Sequence, residues 1–219
     1  MSETTPSQSL EETLNKTDLG HVIYEKRYLI GAILVAILVG VIGWMSVTKY
    51  KASQELKGSE LVFNFQNETW EKVKAGQLST DELISRFSSL DDIAKSSASM
   101  ISLALEMSKF LAEKGEADKA INLLSGLKAP NDLSKFFVAH QKAVLLETAG
   151  KVDEAIAVIE DVKKTKDLLM PAHLELFLGR LYLVKRDLNQ AKSIFQSIID
   201  TYPHEEEAKL AKLYLGEIK

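Results

Sequence analysis

The chain has 219 residues and a formal net charge of −4 at pH 7, with 46% hydrophobic and 26% charged residues. The absence of cysteine excludes disulfides, thiol catalysis and cysteine-based zinc sites, and the acidic balance argues against a nucleic-acid partner. Because only 11 glycines and 4 prolines are present, packed helices are favoured over a turn-rich β fold or a disordered chain. The composition therefore predicts an all-α protein.

The first predicted element is a transmembrane helix at residues 28–49, which follows a polar N-terminal tail at residues 1–27. Its centre, LIGAILVAILVGVIGWMSVT, carries no charge and is long enough to span a hydrocarbon core about 30 Å thick. A core helix of a soluble protein would keep a polar face. A cleaved signal peptide would have a shorter apolar run, of about 7–15 residues, before a small-residue cleavage site. The sequence therefore favours an uncleaved membrane anchor.

Charge does not decide the orientation of this helix in a membrane. Basic residues flank its uncharged centre equally, three before it and three after it: Lys16, Lys26, Arg27, Lys49, Lys51 and Lys57. An excess of basic residues on one side would mark the cytoplasmic end, and here there is no excess. The polar tail fits on either side.

Three small residues, Ala32, Ala36 and Gly40, are spaced four apart and therefore share one face of the predicted membrane helix. Such a face lets two membrane helices approach closely, which would allow lateral contact or a homo-oligomer. Ala and Gly are also common in membrane helices that make no such contact. Both interpretations stay open at this point.

Residues 50–98 are predicted to be connecting helices that open the soluble domain. The first continues the membrane helix outwards and ends at Gly76. The second begins at a capping box, in which Ser79 and Glu82 stand three residues apart and cap each other's backbone N–H groups. Apolar residues at helical spacing follow this box.

Residues 99–219 repeat one pattern, in which a short polar turn is followed by an alanine and an apolar run. The equivalent alanines, Ala120, Ala155 and Ala191, lie 35 and 36 residues apart. Helix–turn–helix units at this period are typical of a helical solenoid. We expect the alanines where two helices approach closely beside their turn, and we expect Gly115 and Gly150 to end the first helices in left-handed caps.

The third unit resembles the tetratricopeptide consensus most closely. Gly179, Tyr182, Ala191, Phe195 and Pro203 fall at its small, aromatic, small, aromatic and proline positions. Pro203 would end the second helix of the hairpin, because a helix interior cannot hold proline. The first two units match less well, and residues 205–219 resemble the first helix of a further unit, a C-terminal capping helix. The resemblance implies a tetratricopeptide-like solenoid of helical hairpins behind the membrane helix.

The order of polar tail, single membrane helix and degenerate tetratricopeptide hairpins also resembles the YfgM family of bacterial inner-membrane proteins. That resemblance implies a cytoplasmic N-terminus, a periplasmic repeat domain, and association with the SecYEG translocon and membrane-anchored periplasmic chaperones. The implied function is a protein-binding adaptor that links the translocon to chaperones or emerging clients. The alternative is a self-associating structural scaffold of the inner membrane with no translocon role.

No catalytic motif stands out in the sequence. The histidines, His21, His140, His173 and His204, lack metal-ligand spacing. There is also no GxSxG motif, no GxGxxG motif and no phosphate-binding glycine loop. We therefore predict no enzyme activity, no cofactor, no metal and no small-molecule substrate.

Partner binding is predicted from the tetratricopeptide resemblance, because the first helix of each hairpin lines a concave groove in such arrays. The residues that map to this groove are Lys109, Phe137, His140, Val144, His173, Phe177 and Arg180. Aromatic rings beside a few polar groups suit a peptide or an unfolded segment. Taken alone, either phenylalanine is better explained by packing between neighbouring hairpins.

Overall fold

The computed structural model describes residues 26–165 and 170–218, apart from the side chain of Arg27. Within them the regular secondary structure is entirely helical, which confirms the all-α prediction. Most of the predicted polar tail, including His21, lies outside the described residues. The helical elements are α1 Arg27–Phe65, a π-helical turn Gln66–Trp70, α2 Glu71–Lys74, α3 Thr80–Ser88, α4 Asp92–Lys95, α5 Ala98–Glu113, α6 Ala117–Ser125, α7 Asp132–Thr148, α8 Val152–Lys163, α9 Pro171–Lys185, α10 Leu188–Thr201 and α11 Glu206–Glu217.

α1 is long and apolar enough to cross a membrane. Its most apolar 18-residue stretch has a mean hydropathy of 2.5, and none of that stretch is buried within the protein. Leu34, Val39 and Trp44 are examples of large side chains exposed around the helix, as expected for a surface in contact with lipid. The orientation of the helix stays a prediction.

The chain divides into two compact units, residues 1–53 and 54–219. In the second unit the helical run continues through the π-helical turn and α2 to Lys74, and the next turn contains Gly76 with φ +70°. The capping box before α3 is present as predicted. The Glu82 amide donates to Ser79 Oγ at 3.2 Å, and the Ser79 amide donates to the Glu82 carboxylate at 2.9 Å.

Consecutive helices of the second unit pack on one another as hairpins, α5 on α6, α7 on α8 and α9 on α10. α7 also packs on α5, and α11 packs on both α9 and α10. The predicted alanines, Ala120, Ala155 and Ala191, are fully buried in this arrangement. α10 ends at Thr201, directly before Tyr202-Pro203, which confirms the predicted role of the proline.

The same turn closes the first helix of every hairpin. The predicted left-handed caps are confirmed at Gly115 and Gly150, where φ is +79° and +76°. In each, the next residue donates its amide back into the preceding helix, Glu116 to Leu111 O at 2.9 Å and Lys151 to Leu146 O at 2.8 Å. This is the Schellman arrangement, in which a left-handed residue satisfies the last carbonyls of a helix.

The third turn places Arg186 at the same position, with φ +66° and with the matching hydrogen bond from Asp187 N to Tyr182 O at 2.9 Å. A side chain in this conformation costs roughly 1–2 kcal/mol because its Cβ crowds the following carbonyl. Glycine avoids that cost, although it also gives the unfolded chain more conformational freedom.

Arg186→Gly is therefore expected to raise the free energy of unfolding by about 0.5–1 kcal/mol. Urea unfolding of the detergent-solubilised chain, followed by circular dichroism, measures the change. Gly150→Ala is the matched control, and we expect it to lower the same free energy by about 1 kcal/mol. A neutral or destabilising Arg186→Gly substitution would contradict the argument.

α9 and α10 approach each other closely at Gly179. A Cβ atom built on this glycine would lie 2.5 Å from a ring carbon of Phe195, which is itself fully buried. The ring of Phe195 stacks on Tyr214 of α11 with centroids 5.2 Å apart. The consensus small and aromatic positions are therefore occupied by residues in direct contact.

Candidate functional site

Five of the residues predicted for the groove line one pocket of about 270 Å³ between α7 and α9. These five are His140, Val144, His173, Phe177 and Arg180. Glu147 and Leu176 complete the lining, and we refer to these seven residues as the histidine pocket. Glu147 and Leu176 were not predicted from the sequence.

Two matching rows of side chains build the histidine pocket. His140, Val144 and Glu147 recur at intervals of four and three on α7, so they share a helix face. His173, Phe177 and Arg180 form the same row on α9. Each residue of the second row follows its counterpart by 33 positions.

The two histidines are in direct contact at the base of these rows. Nε2 of His140 lies 3.2 Å from Nε2 of His173. The ring of His140 also stacks on Phe136 at 6.0 Å and contacts Phe177 at 5.1 Å between centroids. On the far side of His173, Nδ1 lies 3.7 Å from a carboxylate oxygen of Glu207. A polar chain therefore crosses three helices, α7, α9 and α11.

The electrostatics of the pocket favour the neutral form of His140. Burial lowers the pKa of His140 below its ordinary value of 6.5, and the nearby His173 and Arg180 lower it further. The guanidinium of Arg180 lies 5.8 Å from the centroid of Phe177 and 3.8 Å from the carboxylate of Glu147. Apart from the histidines, Arg180 and Glu147 are the charged residues of the pocket lining, and they face each other.

A second pocket, of about 370 Å³, lies between α5 and α7. Its lining contains no charged side chain and is formed by Ala98, Ile101, Ser102, Leu105, Asn131, Leu133, Ser134 and Phe137. We refer to it as the apolar pocket. Phe137 and Leu133 are 45% and 53% exposed at its edge, so both side chains are accessible to a ligand.

The structure separates the remaining predicted groove residues. Phe137 lines the apolar pocket rather than the histidine pocket, and its exposure shows that core packing does not explain it. Phe177 is only 4% exposed, so it packs in the core and lines the histidine pocket at once. Lys109 is exposed on α5 and lines neither pocket.

Sequence reasoning missed the contribution of α5 to the apolar pocket. Ile101 and Leu105 stand at intervals of four before Lys109, so they share its helix face. Extending the groove face backwards along α5 from Lys109 would have identified both residues.

The predicted membrane contact face lies in the first unit of the chain. Ala32, Ala36 and Gly40 are all exposed on α1, and a Cβ atom built on Gly40 would have no neighbour within 4 Å. No described residue of the protein therefore covers this face.

Within residues 26–165 and 170–218, no group of three or more His, Asp or Glu side chains is arranged to hold a metal ion. A comparison with protein-family models finds no match, and a comparison with curated proteins finds none either. The function is therefore argued from the fold and from the two pockets.

Proposed function

We propose that the chain is a membrane-anchored adaptor that binds extended protein segments along a tetratricopeptide-like groove. The observation that carries this proposal is the pair of neighbouring pockets on α5, α7 and α9, one apolar and one polar. Protein-binding grooves combine apolar pockets, which give affinity, with a few polar groups, which fix register.

The regularity of the helices supports a tetratricopeptide-like solenoid. The left-handed turns at Gly115, Gly150 and Arg186 repeat at intervals of 35 and 36 residues, as the buried alanines do. The contact between Gly179 and Phe195 provides the close helix approach that the consensus requires. Stacked hairpins of this kind present their first helices along a common surface.

One stripe of α7 joins the two pockets. Leu133, Phe137, His140, Val144 and Glu147 are spaced at alternating intervals of four and three, which places them on one helix face. Phe137 and Val144 are seven residues apart, or about 10 Å along the helix axis. An extended segment covers about 10 Å in three residues. We infer that the ligand places an apolar side chain in the apolar pocket and a second side chain, about three residues along, in the histidine pocket.

The partners we propose follow from the resemblance to the YfgM family. The adaptor would have a cytoplasmic N-terminus and a periplasmic groove, and it would link the SecYEG translocon to periplasmic chaperones or emerging clients. The exposed face of Ala32, Ala36 and Gly40 favours a second candidate function, because small residues on a membrane helix promote self-association. In that case the chain is a scaffold of the inner membrane.

Phe137→Ala is expected to weaken binding of extended apolar peptides by about tenfold, because truncating an aromatic anchor in a binding groove costs about 1–2 kcal/mol. Fluorescence anisotropy of a peptide panel with the full chain in nanodiscs measures the change. Leu213→Ala is the control, since Leu213 is also a large, exposed apolar residue but lies on α11 outside both pockets. Equal losses for the two variants, or the absence of peptide binding by the wild type, would contradict the proposal.

Photo-crosslinking in native membranes identifies the partners. A crosslinking residue at position 180 lies in the histidine pocket, and one at position 192, on the exposed side of α10, serves as the control. Translocon subunits or periplasmic chaperones captured from position 180 but not from position 192 would support the adaptor. Crosslinks only between copies of the chain would support the scaffold instead.

A further inference from the structure

We propose that the contact between His140 and His173 is a proton-sensitive latch, which holds α7 and α9 together at the histidine pocket and opens when both imidazoles are charged. The consequence for a bound segment rests on the proposed function. The latch itself is a property of the ligand-free chain and is tested there.

The latch depends on the roles of two ring nitrogens. A hydrogen bond between the Nε2 atoms, 3.2 Å apart, needs one ring to donate and the other to accept. An imidazolium has N–H groups on both nitrogens and cannot accept. When both rings are protonated, two N–H groups face each other and two positive charges stand 5.2 Å apart between ring centroids. Repulsion then replaces the hydrogen bond.

The neighbouring charges determine which of the two histidines is the less favourable site for a positive charge. From α11, the Glu207 carboxylate lies beside Nδ1 of His173. From α9, Arg180 and His173 act on His140, and Glu147 on α7 faces Arg180. No charged side chain from the described parts of α5, α6, α8 or α10 lines the pocket. A charge on His173 therefore has a carboxylate partner, whereas a charge on His140 meets two positive neighbours.

The linkage between protonation and stability has a definite sign. The pKa of His140 is lowered in the folded chain, first by burial and then by His173 and Arg180. At pH values between that lowered pKa and the ordinary value of 6.5, the unfolded chain binds more protons than the folded one. The neutral form of His140 therefore stabilises the fold above pH 6.5, and this stabilisation is lost as the pH falls from 6.5 through the lowered pKa of folded His140.

Opening of the latch would act directly on the groove. α7 and α9 supply both walls of the histidine pocket, and each is also packed on other helices, so separation of the rings increases local opening of α7 and α9 without unfolding the whole chain. The walls that position the second side chain of a bound segment then move apart. A bound segment would be released on acidification and retained near neutral pH.

Hydrogen–deuterium exchange of the full chain in nanodiscs tests the latch without ligand. His140→Gln keeps an amide N–H near the position of Nε2 but cannot gain a charge. Comparing the two proteins at the same pH cancels the intrinsic pH dependence of exchange. We expect the amides of α7 and α9 in the wild type to exchange up to about tenfold faster, relative to the variant, for each unit by which the pH falls from 6.5 towards the lowered pKa of folded His140.

Two further variants complete the design. His173→Gln removes the charge opposite His140 and is expected to show a smaller pH dependence than the wild type, because only burial and Arg180 still oppose a charge on His140. This second variant keeps the test valid if His140→Gln folds poorly. His204→Gln alters an exposed histidine outside the pocket and is expected to follow the wild type.

The outcomes separate the latch from the proposed function. Equal loss of protection in the wild type and in His140→Gln on acidification would overturn the latch. Peptide release in acid by the wild type, with retention by His140→Gln, would support the latch and the groove together. A proton-dependent opening in a chain that binds no peptide at any pH would support the latch and overturn the proposed function.

Discussion

Trp70→Ala is expected to lower the free energy of unfolding by about 3–5 kcal/mol, the usual cost of deleting a buried aromatic side chain. Trp70 is 1% exposed, and its ring meets Phe110 edge-on at 5.1 Å between centroids. Its indole N–H donates to the Glu106 carboxylate at 3.2 Å. These contacts attach the π-helical turn to α5, so their loss affects the start of the second unit.

Trp70→Phe separates packing from hydrogen bonding. The phenyl ring keeps most of the apolar contact but has no donor for Glu106, and we expect a loss of about 1–2 kcal/mol. Circular dichroism is the measurement for both variants, because tryptophan fluorescence itself changes. Equal losses for Trp70→Ala and Trp70→Phe would show that ring packing contributes little.

Gly179→Ala is expected to lower the free energy of unfolding by about 2 kcal/mol, although alanine is the better helix former by about 1 kcal/mol. The added methyl group would lie 2.5 Å from the ring of Phe195. That ring is fully buried and stacked on Tyr214, so it cannot move aside without disturbing α10 and α11.

Gly216→Ala provides a control of opposite sign. Gly216 lies in α11, and a Cβ atom there would have no neighbour within 4 Å, so the substitution is expected to stabilise the helix by up to about 1 kcal/mol. Phe195→Leu combined with Gly179→Ala tests the cause, because a smaller side chain leaves room for the methyl group. Shifts of the same sign for Gly179→Ala and Gly216→Ala would contradict the close approach.

The features that could be predicted from the sequence are those with a local physical cause. The capping box of Ser79 and Glu82 needs only two residues at the right spacing. The left-handed caps at Gly115 and Gly150 follow from the unique freedom of glycine. Arg186 occupies the same conformation without that freedom, and the next residue makes the same hydrogen bond back into the helix. No local signal marks such a position.

The helices that form the candidate site could be predicted from the sequence, but the contacts between their side chains could not. The repeat pattern placed His140 and His173 on the first helices of neighbouring hairpins, which was enough to assign both residues to one groove. Their Nε2 contact and the approach of Glu207 depend on side-chain packing across three helices. The apolar pocket depends on the exposure of Phe137, and an apolar residue in a helical pattern is ordinarily expected in the core.

The rows on α7 and α9 are offset by 33 residues, whereas the left-handed turns that end the two helices, at Gly150 and Arg186, are offset by 36. His173 therefore occupies the repeat position of Phe137, and the two histidines that meet in the pocket are not equivalent positions of the repeat. Exact duplication of the hairpin of α7 and α8 would place a copy of Phe137, and no histidine, opposite His140. A subsite of this kind thus depends on the sequence differences between neighbouring hairpins and not on the number of copies.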